Sequence, residues 1–206
     1  MSKAKVQQEA KAHCDVLIQG AGIGGLTLAI ALQQRGYKVK LVERAAGLVE
    51  VGAGIWMAAN PMQVFARLGF AEKIIEAGWT VKLLRLQDWK SGDIQTTDMS
   101  QIAKEYGFET TALHRGVLQR LLFEQLEADS VLFGCEVIAV TQSVDQVVAS
   151  LSDGSSRAAA ICCWGRWIQL SDAPHGGTGR RKAILWFFFL SRHSSRCPYP
   201  ARRSRA

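Results

Sequence analysis

The clearest hydrophobic pattern in the chain lies near its start. An apolar run over residues 15–19 is typical of a short strand that is buried on both faces of a parallel sheet. Apolar positions at helical spacing then extend from Leu26 to Gln34, and Gly36 is a typical helix stop. Residues 38–42 alternate between apolar and polar positions, as expected for a second strand. The pattern predicts a strand, a turn, a helix and a strand in succession.

The pattern up to residue 160 predicts further helices and strands. Asn60 is the expected N-cap of a helix that has Pro61 at its first position. The other expected elements are helices at 70–77 and 115–128, a hairpin across 81–99, and strands at 131–133, 136–143 and 146–151. Together these elements predict one α/β domain over residues 14–160, with a mainly parallel sheet and an added hairpin or meander.

The turn between the first strand and its helix has the sequence Gly20-Ala21-Gly22-Ile23-Gly24-Gly25. A GxGxxG turn in this context is typical of dinucleotide binding. Gly20 permits the tight turn, Gly22 lets the backbone approach a diphosphate, and Gly25 lets the helix pack closely on the strand. The free N–H groups and the dipole at the helix N-terminus attract the anion.

An acidic residue ends the second predicted strand. Glu43 follows Gly20 by 23 residues, which is the usual position of the carboxylate that accepts hydrogen bonds from ribose hydroxyls. A carboxylate there disfavours a 2′-phosphate, so the residues alone leave NAD or FAD as the ligand. Arg44, which follows directly, is a further candidate cofactor contact.

The positive charge of the chain is concentrated at its C-terminal end. The net charge is +7 over 206 residues, and residues 161–206 contain nine Lys and Arg residues but one acidic residue. These cations follow no single helix face and do not interleave with aromatic residues, as a nucleic-acid-binding segment would require. We therefore expect no nucleic-acid partner.

Other sequence features limit the classes of protein to which the chain can belong. The five cysteines lack metal-site spacing, so no metal site is expected. Residues 1–13 are polar and are expected to form a disordered leader, not a signal peptide. The longest apolar run near the end, residues 183–190, is shorter than the ~20 residues that span a bilayer. We expect a cytoplasmic protein with no membrane partner, and the sequence does not indicate its oligomeric state.

Four segments, in order, resemble the FAD-dependent aromatic-ring monooxygenases, the group that contains salicylate and p-hydroxybenzoate hydroxylases. The segments are DVLIQGAGIGGLTLAIALQQRGYKVKLVER, VGAGIWMAANPMQVFARLGF, LHRGVLQRLL and EVIAVTQSVDQVVASLSDGS. They cover about residues 14–157. The resemblance implies a Rossmann-like FAD-binding domain, with NAD(P)H as reductant, O₂ as oxidant and a small aromatic substrate.

The resemblance also implies roles for particular residues. The glycine turn and Glu43 would hold the ADP half of FAD, and the segment containing Gly54 would pass near the flavin side. Arg115 would contact the cofactor from the start of its helix. Trp56 and Met57 either face the flavin or fill the core. The chemistry of this family needs no protein nucleophile, so we nominate no catalytic side chain.

The chain departs from the family after residue 160. Members continue with a strand that leads into Gly-Ala-Asp-Gly, whose Asp reaches the cofactor, and with a second sheet over the substrate. That tetrapeptide does not occur here, although codons for residues 164–169 permit it when read one base later. We therefore predict a truncated product with a frame change within residues 157–161 and an out-of-frame, low-order tail over 161–206. Such a product would lose the strand, hold FAD weakly and hydroxylate poorly.

Two alternatives stay open from the sequence. One is a different FAD-dependent oxidoreductase that shares the N-terminal turn. The other is a non-catalytic nucleotide-binding protein that uses the basic tail.

Overall fold

A computed structural model describes residues 14–48, 52–142 and 146–164. It begins with strand β1 (Cys14–Gln19), helix α1 (Ile23–Gln33) and strand β2 (Val39–Glu43), which confirms the predicted strand–turn–helix–strand unit. The two strands pair in parallel, with Val16 opposite Val39.

The middle of the chain builds two small sheets and four helices. Their elements are β3 (Gly54–Met57), α2 (Ala59–Arg67), α3 (Ala71–Ala77), β4 (Trp79–Thr80), β5 (Leu83–Asp88), β6 (Gly92–Asp98), α4 (Met99–Tyr106), β7 (Thr111–His114) and α5 (Arg115–Phe123). Strands β3, β7 and β4 form an antiparallel sheet in that order. Strands β5 and β6 form the hairpin that the sequence predicted.

The remaining strands complete the main sheet. They are β8 (Val131–Phe133), β9 (Val137–Gln142), β10 (Val147–Leu151) and β11 (Ser156–Trp164). The six-stranded sheet has the order β8-β2-β1-β11-β10-β9. Its first four strands are parallel, and β10 and β9 continue it in antiparallel fashion. The α/β class with a mainly parallel sheet and an added meander is confirmed.

The expectation that the strand after residue 155 is lost is wrong. Strand β11 lies in the interior of the sheet, parallel to β1 and antiparallel to β10. It continues through Trp164, four residues beyond the predicted end of the domain. Ala159, Cys162 and Cys163 are buried in it, because a free cysteine behaves as a small hydrophobic residue that fits a covered strand. The adjacent cysteines therefore belong to the sheet and not to the tail.

Hydrophobic side chains cover both faces of the main sheet. On one face Val16 and Ile18 pack with α1, α5 and the small β3–β7–β4 sheet. On the other face Leu17, Val42 and Cys162 form a second cluster with the meander. The near-continuous apolar run of β1 reflects this two-sided burial.

Three sequence expectations about helices are corrected. The N-cap of α2 is Ala58 and no side chain caps it, so the prediction of Asn60 as N-cap is wrong. Helix α5 ends at Phe123, before Ala128. Helix α4 was not expected from its short polar sequence, and none of its residues is buried. Asp98 caps it by accepting a 2.9 Å hydrogen bond from the Ser100 N–H.

Other expectations fall outside the described residues. These are the disordered leader over residues 1–13 and the basic tail over 165–206. The frame change within residues 157–161 stays a prediction. Among the helices of the described ranges, none is long and apolar enough to cross a membrane.

Candidate cofactor-binding site

The glycine turn between β1 and α1 requires glycine at two positions. Gly20 has a φ of 101°, in the region that favours glycine, and its N–H donates a 2.8 Å hydrogen bond to the Val42 carbonyl. A Cβ atom on Gly25 would lie 2.0 Å from the Gly20 carbonyl oxygen. Gly25 therefore lets the first turn of α1 pack against Gly20 and Ile18 at the end of β1, which is the close helix–strand packing that the sequence predicted.

The N-terminus of α1 is open toward the outside of this turn. Gly22 is the N-cap, no side chain caps it, and the first helical turn contains no acidic residue. A Cβ atom on Gly22 would have no heavy atom within 4 Å. The free N–H groups and the helix dipole are therefore available to an anion that approaches over Gly22.

The Glu43 carboxylate lies beside the glycine turn. Its Oε2 atom accepts a 2.8 Å hydrogen bond from the Ala21 N–H, and its Oε1 atom accepts a 2.9 Å hydrogen bond from the Ala45 N–H. Each carboxylate oxygen has further acceptor capacity, so Glu43 can still bind a hydroxyl group. Arg44 is exposed immediately after it, at the same edge of the sheet.

Arg115 lies at the junction of β7, α5 and the loop before β3. Its N–H donates to the Ala53 carbonyl at 3.4 Å, and its side chain is exposed. A Cβ atom on Gly52 would approach the Arg115 Cβ atom to 3.2 Å. Gly54 pairs with His114 across the small sheet, and a Cβ atom on it would meet only the Leu113 carbonyl, at 3.9 Å. The outer side of Gly54 is therefore accessible to a ligand.

Gln119 joins the Arg115 helix to the glycine turn, and the sequence analysis missed it. Its Nε2 atom donates a 2.7 Å hydrogen bond to the Ala21 carbonyl. Gln119 lies four residues after Arg115, so the two side chains share one face of α5. That spacing was the available signal, but only the packing of α5 on α1 shows what Gln119 contacts.

The structure assigns different positions to three further candidate residues near this site. His114 is the N-cap of α5, and its Nδ1 atom accepts a hydrogen bond from the Gly116 N–H at 3.2 Å, so it has a structural role. Met57 is buried in the core. Trp56 is 52% exposed on the outer face of β3. Of the two residues that could face the flavin or fill the core, Met57 fills the core.

Trp56 has a second exposed tryptophan near it. Trp56 and Trp79 both pair with Ala112, from opposite sides of β7. Directly paired residues of an antiparallel sheet project from the same face, and Trp79 is 82% exposed. The outer face of the small sheet therefore carries two indole groups that flank one small residue.

Gln19, at the end of β1, is a polar residue between two apolar partners in the main sheet. It pairs with Val42 of β2 and with Trp164 of β11. Its Oε1 atom is buried and has no hydrogen-bond partner among the described residues.

The cysteines of the main sheet are buried thiols without catalytic geometry. Burial, together with smaller contributions from the neighbouring thiols of Cys163 and Cys14, raises the pKa of Cys162 to about 12. Burial also raises the pKa values of Cys14 and Cys163. Within the three described ranges, no group of His, Cys, Asp and Glu side chains could hold a metal ion.

A family comparison identifies this arrangement. A family model described as an FAD binding domain matches residues 13–163. The chain belongs to the FAD-binding domain family. The match ends at the last residues of β11, which agrees with the strand that the structure places inside the sheet.

Known relatives of this FAD-binding domain are monooxygenases. Aurachin C monooxygenase/isomerase of Stigmatella aurantiaca is 35% identical over 144 residues, which are 70% of this chain and 38% of the relative. The 6-hydroxynicotinate 3-monooxygenase of Pseudomonas fluorescens is 30% identical over 148 residues, which are 71% of this chain and 38% of the relative. The chain therefore spans less than two-fifths of these curated relatives.

A solved structure supports the same fold and cofactor. Klebsiella pneumoniae HpxO, in complex with FAD and uric acid, superimposes with a TM-score of 0.65 at 27% identity. The superposition covers 72% of this chain and 38% of HpxO. FAD is the cofactor of this domain. The tight Gly20–Gly25 packing, the open side of Gly22 and the Glu43 carboxylate fit an adenine dinucleotide.

Proposed function

We propose that this chain is the cofactor-binding part of an NAD(P)H-dependent aromatic monooxygenase. The observation that carries the proposal is that the Glu43 carboxylate is hydrogen-bonded to the glycine turn that leads into the open N-terminus of α1. The relatives of this domain are monooxygenases. The overall reaction takes an aromatic C–H, O₂, NAD(P)H and a proton to a phenolic C–OH, water and NAD(P)⁺. FAD, when bound, carries the electrons from the reductant to O₂.

The protein's own contribution is to bind and orient the cofactor. The N–H groups at the start of α1 would hold the diphosphate, with Gly20, Gly22 and Gly25 shaping the turn. Glu43 would accept hydrogen bonds from the ribose hydroxyls, and Arg44 would lie beside the adenosine part. These assignments are supported by the turn geometry and by the exposure of Arg44 at the end of β2.

Arg115 and Gly54 would serve the other half of the cofactor. Arg115 starts α5, which Gln119 ties to the glycine turn. Its exposed guanidinium would offset phosphate charge, and the open side of Gly54 would let the flavin part approach the backbone. No side chain of the described residues acts as a nucleophile in this proposal.

A small aromatic compound is the proposed substrate class. The relatives' names include hydroxynicotinate, and the HpxO complex contains uric acid; both are small planar rings. The exposed indoles of Trp56 and Trp79 provide stacking surface near Gly54. A cytoplasmic location is also part of the proposal, because four free, buried cysteines suit a reducing compartment.

The two alternatives make different predictions for a purified sample. Another FAD-dependent oxidoreductase would bind FAD but would not couple NAD(P)H oxidation to ring hydroxylation. A non-catalytic nucleotide-binding protein would not bleach a bound flavin with NAD(P)H. The monooxygenase relatives favour the proposed activity over both.

The decisive experiment measures FAD binding by flavin fluorescence, followed by anaerobic addition of NADH or NADPH. We expect binding, reductive bleaching and only weak hydroxylation, because the chain spans a minor part of its relatives. Gly22→Ala should weaken FAD binding at least tenfold without changing thermal stability, since its Cβ would occupy open space on the cofactor side. Equal FAD affinity in Gly22→Ala and wild type would contradict the proposed site.

A further inference from the structure

Gln19 lies at the switch point of the main sheet, where the order of successive strands reverses between β1 and β11. From β1 the chain crosses through α1 to β2 on one side, while β11 lies on the other side of β1. In open α/β sheets, ligands bind outside the carboxyl ends of the strands at such a switch point. Gln19 is the last residue of β1 and pairs directly with Trp164, the last residue of β11. Its side chain therefore starts at the carboxyl ends of β1 and β11.

Packing alone does not account for an amide at this position. Leu17 and Val42, its neighbours on the same face of the sheet, are buried and apolar. The Gln19 Oε1 atom is buried without a partner among the described residues. A buried carbonyl oxygen without a hydrogen bond destabilises the folded state, and an apolar side chain of the same length would avoid that penalty.

A ligand with hydroxyl and phosphate groups would satisfy such an amide. The oxygen can accept a hydrogen bond from a hydroxyl group, and the –NH₂ group can donate to a phosphate oxygen. Both kinds of group occur side by side in the diphosphate–ribityl segment of FAD. A neutral amide also avoids the repulsion that a carboxylate would exert on a diphosphate.

We propose that the Gln19 amide is a cofactor contact that hydrogen-bonds the diphosphate–ribityl segment of bound FAD and positions it over the carboxyl ends of β1 and β11. This inference rests on the proposed FAD site and adds a residue that lies outside the glycine turn itself. The Gln19 oxygen, which has no partner among the residues that the structure describes, gains one when the cofactor binds.

The test compares two substitutions that each remove an unpaired buried polar atom. Gln19→Met keeps the length of the side chain. Thr111→Val is the matched control, because the Thr111 hydroxyl on β7 is also buried without a partner among the described residues, and valine keeps the shape of threonine. Both should raise the unfolding midpoint of the FAD-free protein. Only Gln19→Met should weaken FAD binding, by about tenfold, as measured by flavin fluorescence titration.

A second variant keeps the test valid if Gln19→Met folds poorly. Gln19→Glu has nearly the same shape but places a carboxylate beside the diphosphate. Its FAD affinity should be at least tenfold below that of wild type at pH 8 and should recover as the carboxyl becomes protonated at lower pH. The pH dependence of Thr111→Val should match that of wild type.

The outcomes separate this inference from the proposed function. Wild-type FAD affinity in both Gln19 variants would overturn the role of Gln19 and leave the FAD site intact. A folded wild-type chain that does not bind FAD at all would overturn the proposed function and the Gln19 contact together.

Discussion

The Glu43 carboxylate and the Ala21 backbone are joined by a 2.8 Å hydrogen bond between the second strand and the glycine turn. The same carboxylate also accepts from the Ala45 N–H. The residue proposed to bind the ribose therefore also fixes the loop that binds the diphosphate. One side chain couples the geometry of two cofactor contacts.

Glu43→Gln tests this coupling because it keeps the shape and removes the charge. One of the two backbone N–H donors would lose its acceptor or face the amide –NH₂ group. We expect the free energy of unfolding of the FAD-free protein to fall by about 1–3 kcal/mol, with FAD affinity reduced at least tenfold. Urea unfolding and fluorescence titration provide the two measurements.

The control for this charge change is Glu105→Gln on the exposed helix α4. It should leave both FAD affinity and stability close to wild type. A Glu43→Gln protein with unchanged stability would show that the bond to Ala21 does not brace the turn.

The two adjacent glycines of α1 should respond in opposite directions to alanine. A Cβ atom on Gly25 would lie 2.0 Å from the Gly20 carbonyl, whereas one on Gly24 would have no atom within 4 Å. Gly25→Ala should destabilise the protein by roughly 1–3 kcal/mol or more and abolish FAD binding. Gly24→Ala should stabilise the helix by up to about 1 kcal/mol. Thermal unfolding of both variants compares a clash with a gain in helix propensity at neighbouring positions.

The buried thiols predict a loss of stability in alkaline solution. The pKa of Cys162 is raised to about 12 in the folded protein, above the ordinary thiol value of 9.0 that applies to an unstructured chain. Between these values the unfolded chain releases the thiol proton while the folded protein keeps it. Stability should therefore fall as pH rises above 9, by up to about 1.4 kcal/mol per pH unit for this thiol.

Chemical labelling provides a matched measurement of the same burial. Iodoacetamide at pH 8 should modify Cys162 only after unfolding, because both access and ionisation are suppressed in the sheet. A Cys162→Ala variant should lose part of the alkaline decrease in stability. Rapid labelling of Cys162 in the folded protein would contradict its place inside β11.

The exposed tryptophans allow a test of the substrate side. Under the proposed function, Trp79→Ala should weaken binding of a small aromatic probe such as 6-hydroxynicotinate to the FAD-loaded protein by roughly 2- to 10-fold, the range expected for one aromatic contact. Trp89, at the tip of the β5–β6 hairpin, is 87% exposed and serves as the matched control. Calorimetric titration should show no change for Trp89→Ala. Equal losses in the two variants would exclude a specific stacking role for Trp79.

Local patterns were sufficient for the first part of the fold. The β1–α1–β2 unit has short apolar strands and a glycine turn, so its order and the structural roles of Gly20 and Gly25 could be predicted. Glu43 could be found by its spacing, but its bond to Ala21 could not. Prediction failed where tertiary packing outweighed local preference, as at Asn60, where the helix begins earlier without a side-chain cap.

Strand β11, Gln19 and Gln119 could not be predicted from the types of residue in the sequence alone. Adjacent cysteines and alanines have weak strand preference, and only their burial beside β1 makes Ser156–Trp164 a strand. Gln119 and Gln19 are common polar residues whose relevance depends on what lies across from them. The four-residue spacing from Arg115 was the one signal for Gln119, and it did not reveal the hydrogen bond to Ala21.

The interior position of β11 also governs how this domain is made. Cys14 of β1 lies opposite Ala159 of β11, a separation of 145 residues along the chain. During synthesis, β1 and β2 leave the ribosome long before the strand that must lie beside β1, so one edge of β1 stays open for most of translation. Such high contact order slows folding and exposes an apolar strand to neighbouring chains. The strand order therefore predicts a demand for chaperones during synthesis.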